Sequence, residues 1–320
     1  MHTNSHTSHF GNRAGRAIRQ ATVAVLALAV IAATASLQAG AARAVTIKQI
    51  DGQLSEVSLY SPALGRTVVN TVLRPRGGGP APVLYLLNGR SGGSDGDSWL
   101  RMTAYRSFFA GKSVTVVSPQ GGGFEYYSVG AWESYLRTEL PRAIAGPLQT
   151  TGRAAIAGVS HTAPAALDLA GRSGNRYQAV ASYSGCPAVS SPIGVASITA
   201  VMALGGANAF AVFGPPGSPG WTDHDPSLHP ARLAGKAIYL GSGSGVPGTA
   251  DGAHAGPALL AGPAQVEAIA AGCTRQMSSI LAGHGVRHTL HQFPTGAHTW
   301  MLFENQLRDS WRVIGPAIGA

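Results

Sequence analysis

Ser160 follows Gly158 by two residues at the end of the apolar run Ala154-Ala155-Ile156-Ala157, and small residues open a helical pattern behind it, Thr162-Ala163-Pro164-Ala165-Ala166. A serine hydroxyl attacks a carbonyl only when a base takes its proton and fixed dipoles accept the charge that develops on the substrate oxygen. A sharp strand-to-helix turn serves the second need, because the first amides of the helix are free and lie at its positive end. Such a turn tolerates only small neighbours, hence the usual Gly-x-Ser-x-Gly pattern. Here Thr162 stands where the last Gly is usual. The base is expected at His298, in the Gly-rich segment Pro294-Thr295-Gly296-Ala297-His298-Thr299-Trp300. The chain order for this chemistry is Ser, acid, His. Asp251, the carboxylate of the loop after the strand expected at 236–240, is the favoured acid. Asp225 and a weakly formed triad are the alternatives, and Glu267 falls on the following helix. The amides of His161 and Arg90 are the expected oxyanion donors.

These residues need strands that end near one another. Continuous apolar runs predict buried strands at 82–87, 113–118, 154–157 and 179–182. Further strands are expected at 53–60, 66–73, 236–240 and 287–293. Helical spacing covers 100–110, 132–144, 163–170, 263–284 and 303–313. The stretch 190–230 is rich in Gly and Pro and gives no clear pattern. Alternation of strands and helices implies an α/β fold, a mostly parallel sheet covered on both faces. Ligands of such sheets sit beyond the carboxyl ends of the strands. Asn88, Ser160, Ser184, the Gly241 loop and His298 all fall at such ends.

The 320-residue chain is 45% hydrophobic with 43 Gly, as a globular α/β domain with many tight turns requires. Its net charge of +9 is partly an N-terminal matter. Arg13, Arg16, Arg19 and Arg43 lie in the first 44 residues, which hold no acid. The rest shows no basic stripe of the kind nucleic acid demands. The basic start, the apolar run 21–37 and Ala42-Arg43-Ala44 read as a secretory signal cleaved after Ala44. A secreted or cell-envelope protein with one domain over 45–320 is therefore expected. Two cysteines, Cys186 and Cys273, suggest a disulfide in an exported chain. A His-Glu-x-x-His motif, a zinc-spaced Cys/His set and a phosphate loop are all missing from the sequence, so neither a metal nor a cofactor is expected. Nothing in the sequence sets the oligomeric state.

Several blocks in order resemble the antigen 85-type mycolyltransferases, and most of all their corynebacterial and nocardial relatives. They are Leu84-Tyr85-Leu86-Leu87-Asn88-Gly89, Gly92-Gly93-x-Asp95-Gly96-x-x-Trp99, Trp132-Glu133-Ser134-Tyr135-Leu136-x-x-Glu139-Leu140-Pro141 and Ala157-Gly158-Val159-Ser160. Ser184-Gly185-Cys186, His224-Asp225-Pro226, Gly241-Ser242-Gly243-Ser244-Gly245 and Gly296-Ala297-His298-Thr299-Trp300 follow. The resemblance spans about residues 50–312. It implies an α/β-hydrolase fold in which Ser160 is the nucleophile, His298 the base, and Arg90 and His161 the oxyanion amides. Asp251 falls near the family's acid, which is a Glu. Asn88, Trp99 and Trp300 are expected at the substrate. The implied reaction moves a mycoloyl chain from trehalose monomycolate to trehalose or cell-wall arabinogalactan. A Cys186–Cys273 disulfide matches the corynebacterial type. Two departures touch the acceptor pocket. Asn88 replaces an Asp, and the segment from Tyr127 to Trp132 is shorter than usual. A secreted carboxylesterase and a non-catalytic glycolipid binder are the other readings.

Overall fold

The computed structural model of the chain describes Met1, residues 45–254 and residues 256–320. The expected signal segment and its cleavage point lie outside the described residues. Among the described residues, one sheet of nine strands runs in the order β1-β2-β3-β5-β4-β6-β7-β8-β9. The strands are β1 (Thr46–Gln49), β2 (Leu54–Ser61), β3 (Arg66–Leu73), β4 (Ala81–Leu86) and β5 (Thr115–Pro119). They continue with β6 (Thr150–Val159), β7 (Ala179–Tyr183), β8 (Ala237–Ser242) and β9 (Thr289–Gln292). The first three form an antiparallel meander, and β3 pairs antiparallel with β5. From β5 through β4 to β9 every pairing is parallel. This is the mostly parallel α/β-hydrolase sheet expected, with β1 as an unforeseen edge strand.

The helices are α1 (Trp99–Met102), α2 (Tyr105–Phe109), α3 (Gly130–Ser134), α4 (Leu140–Ala145), α5 (Ala163–Arg172), α6 (Pro192–Leu204), α7 (Ala209–Phe213), α8 (Pro219–Thr222), α9 (Pro263–Gly283) and α10 (Trp300–Ile318). Successive side chains of a strand point to opposite faces. Tyr85, Ile156, Val180 and Ile238 therefore join one core with Leu136, Leu167, Ile198 and Met277. Leu84, Ala155, Ala181 and Tyr239 join the other, with Trp99, Phe109, Leu307 and Ile314.

Two expected helices differ in detail, for local reasons. The 100–110 stretch breaks between α1 and α2. There Thr103 Oγ1 donates to the Trp99 carbonyl at 2.6 Å and the Ala104 amide donates to Glu304 at 2.9 Å, so side chains compete with the helix ladder. The 132–144 stretch widens into a π-turn over Tyr135–Glu139. Pro141 follows at once and has no N–H to continue an ordinary turn. The stretch without a clear pattern contains α6, α7 and α8.

Candidate active site

β6 delivers Ser160. At its end the chain turns so sharply that Ser160 takes φ 55°, a left-handed value uncommon for a residue with a side chain. Gly158 permits the turn: a Cβ there would lie 2.2 Å from the Thr162 carbonyl oxygen. The unusual Thr162 closes the same turn. Its hydroxyl accepts from the Val159 amide at 3.0 Å and donates to the Val159 carbonyl at 3.1 Å. A Gly could do neither.

The segment between β9 and α10 brings His298 to Ser160, with Nε2 2.8 Å from the serine Oγ. The other ring nitrogen, Nδ1, lies 2.7 Å from Oε2 of Glu267, and this carboxylate is wholly buried. Asp251, the acid favoured from sequence, is not the partner of His298. It is buried as well, but it accepts from the amides of Gly248 and Ala297, each at 2.9 Å, and from the Thr299 hydroxyl at 2.8 Å. Asp251 thus clamps the residues on either side of His298. Asp225 is engaged with Ser190 and Ser227. Glu267 lies in the second turn of α9, on the stripe Ala264, Glu267, Ala271, Thr274 that faces the core. A carboxylate at an apolar stripe position is the signal by which sequence could have found it.

A cleft opens at Ser160, His161 and His298 and runs between α6 and α9. Ile198 and Val201 form one wall, and Val266, Ile269 and Ala270 the other. Cys186 also lines it, and it is disulfide-bonded to Cys273 of α9 with a Cα–Cα distance of 4.8 Å. The expected pairing of the two cysteines is therefore present. Apolar walls meeting a nucleophile suit an acyl chain better than a sugar.

The three residues expected at the substrate do not line this cleft. Asn88 is buried, donates to the Pro119 carbonyl at 3.2 Å and accepts from the Trp99 amide at 3.1 Å. Its capacity is used in holding the loop after β4. Trp99 is fully buried, with its indole N–H on the Leu87 carbonyl at 2.8 Å. Trp300 packs edge-on against Trp99 and Phe303. Trp99 is buried against Trp300, the first residue of α10, which is itself partly buried, and aromatic area stabilises that packing. Arg90 sits in the turn that the Gly92 amide closes on the Gly89 carbonyl at 3.0 Å, and its own carbonyl accepts from Phe124 at 2.7 Å. The Leu87 amide ties this loop to the Ala157 carbonyl of β6 at 2.8 Å, so it stays beside the elbow.

A family model described as putative esterase matches residues 61–313, most of the chain. The chain belongs to the putative esterase family. This esterase-family chain is 27% identical to the diacylglycerol acyltransferase/mycolyltransferase Ag85A of Mycobacterium leprae, over 95% of its own length and 94% of the relative's. It is 29% identical to Ag85C of Mycobacterium avium, over 88% and 84%. Among solved structures it is similar to MPT51 (FbpC1) of Mycobacterium tuberculosis, at 25% identity and a TM-score of 0.68, covering 86% of this chain and 100% of that one. An S-formylglutathione hydrolase of Agrobacterium tumefaciens shares the fold, at 16% identity and a TM-score of 0.62.

In this esterase-family chain the residue after the serine is a buried histidine. His161 packs edge-on against Tyr126, and its Nε2 has no hydrogen-bond partner among the described residues. Burial lowers its pKa from 6.5 to about 4. The unfolded chain therefore binds a proton at His161 below about pH 6.5 that the folded chain refuses until about pH 4. Stability falls as pH drops through that window, by about 2 kcal/mol at pH 5 from this residue alone. His161→Met should lose less stability than the parent chain between pH 7 and pH 5 in thermal melts. Equal losses in the two proteins would show that the burial of His161 is not the cause.

Proposed function

We propose that the chain is a serine acyltransferase that moves a mycoloyl chain from trehalose monomycolate to trehalose or arabinogalactan. The observation that carries this reading is the line Ser160–His298–Glu267 at the mouth of an apolar cleft. The likeness to the Ag85 relatives supports the acyl class. Ser160 Oγ attacks the ester carbonyl while His298 Nε2 takes its proton. Glu267 holds the imidazole with Nδ1–H turned toward itself and stabilises the cation that forms. The amides of His161 and Arg90 receive the oxyanion, the former as a free first-turn amide of the helix behind Ser160. The imidazolium then protonates the departing sugar oxygen, leaving an acyl-Ser160 ester. A sugar hydroxyl repeats the steps in reverse and carries the acyl chain away. Export to the cell envelope fits a reaction on wall glycolipids.

The test supplies the purified protein with trehalose monomycolate and follows trehalose dimycolate and free mycolate together. Dimycolate should form, and Ser160→Ala should remove at least about 10⁴-fold of the rate. Free mycolate as the sole product would replace transfer by hydrolysis. That second reading has one observation in its favour: Asn88, at the position of the family's sugar-binding Asp, is occupied by the Pro119 carbonyl of β5 and the Trp99 amide of α1. Neither product, with either protein, would overturn both.

A further inference from the structure

We propose that Gln306 and Ser184 are positioning residues of the triad, a relay that orients the Glu267 carboxylate toward His298 from the C-terminal helix. The inference rests on the reading of Ser160, His298 and Glu267 as the reacting line. Glu267 is buried and, among the described residues, pairs with no Lys or Arg, so every lone pair of its carboxylate needs a donor. Oε2 faces His298. Oε1 accepts from the Ser184 hydroxyl at 2.8 Å and from the Gly243 amide at 2.6 Å. That amide comes close because a Cβ on Gly243 would lie 2.6 Å from the Gly296 carbonyl oxygen.

A hydroxyl has one proton and can point it either way. Gln306, fully buried on α10, settles the direction. Its Nε2 donates to Ser184 Oγ at 2.7 Å, so the serine proton is left for Glu267. Donors in series polarise one another, and each strengthens the next. Ser184 itself is held out of the ordinary, at φ 49°, with its amide on the Gly241 carbonyl at 2.8 Å. Backbone strain of this kind persists where the surroundings impose it and clusters at functional sites. Gln306 Oε1 has no partner among the described residues. A buried amide with half its capacity unmet is a poor choice for stability alone, because an apolar residue of that shape would avoid the penalty.

The relay shares out the negative charge of Glu267. Without it, the carboxylate draws harder on the His298 proton and lines up less well. The expected result for Ser184→Ala is a roughly tenfold loss of kcat with KM unchanged, and for Gln306→Met a threefold to fivefold loss with an unchanged melting temperature. The double variant should lose no more than Ser184→Ala alone, because Gln306 acts only through the serine hydroxyl. The low-field proton resonance of the His298 Nδ1–H should move further downfield in both single variants. The assay is hydrolysis of p-nitrophenyl butyrate by the full chain, with Ser160→Ala and Glu267→Gln alongside. If those two retain the parent rate, the reading of the triad fails. If they lose it, but the Ser184 and Gln306 losses multiply or the resonance stays in place, the relay is overturned and the triad stands.

Discussion

Glu267→Gln lowers kcat by about 10³–10⁴ with little change in KM, the expected scale for a triad whose imidazole loses its acid and its tautomer. The amide keeps the volume and can still accept from Ser184 or Gly243, so the fold survives. It cannot stabilise the imidazolium. Asp251→Asn behaves differently. Its carboxylate holds Gly248, Ala297 and Thr299, none of which takes part in the proton transfer. Its loss costs about 1–3 kcal/mol of stability through unmet buried donors, and less than about tenfold in kcat at a temperature where the variant is folded. Steady-state kinetics and thermal melts on the two variants separate the roles. The assignment is wrong if Asp251→Asn shows the large kcat effect and Glu267→Gln the small one.

Replacing both cysteines, Cys186→Ala with Cys273→Ala, is the second large effect. The bridge joins residues 87 apart in sequence. On the chain-entropy account a loop of that size contributes roughly 4–5 kcal/mol. For a domain this large the loss corresponds to roughly 10 °C in melting temperature. Below the transition the double variant should keep its kcat within a few fold, because Ser184 and Gly243 still hold Glu267. Urea melts of the parent with and without dithiothreitol, beside the double variant, test this. Coincident midpoints in all three would show that the bridge constrains nothing the unfolded chain can use.

The strands were the most legible part of the sequence. Buried parallel strands read as unbroken apolar runs, and those of β4, β5, β6 and β7 stand out against Gly-rich loops. The meeting of Ser160 and His298 was legible for a related reason: Ser160 ends such a run, and His298 follows the last strand in a Gly-rich turn. The carboxylate that faces His298 was not. The rule that seeks it in the loop after β8 selects Asp251, because that loop holds no other carboxylate. In the structure the loop passes its acid to the histidine segment, and the first turns of α9 deliver Glu267 to the ring. Asn88, Trp99 and Trp300 carry strong motifs for a structural reason: they bond and pack around the loop after β4. Glu267 accepts from Ser184 and Gly243, and Ser184 is held in turn by Gln306, 122 residues away; no local pattern joins them.

Because the carboxylate that faces His298 rides on a disulfide-tied helix and not on the preceding loop, the stretch between β8 and α9 supports the proposed triad only through the Gly243 amide and the Asp251 clamp. Segments with so limited a part can change length and composition while the chemistry stays intact. A lineage could rebuild the rim of the cleft there for a new acceptor without first reinventing its nucleophile. The same division gives an engineer a place to graft.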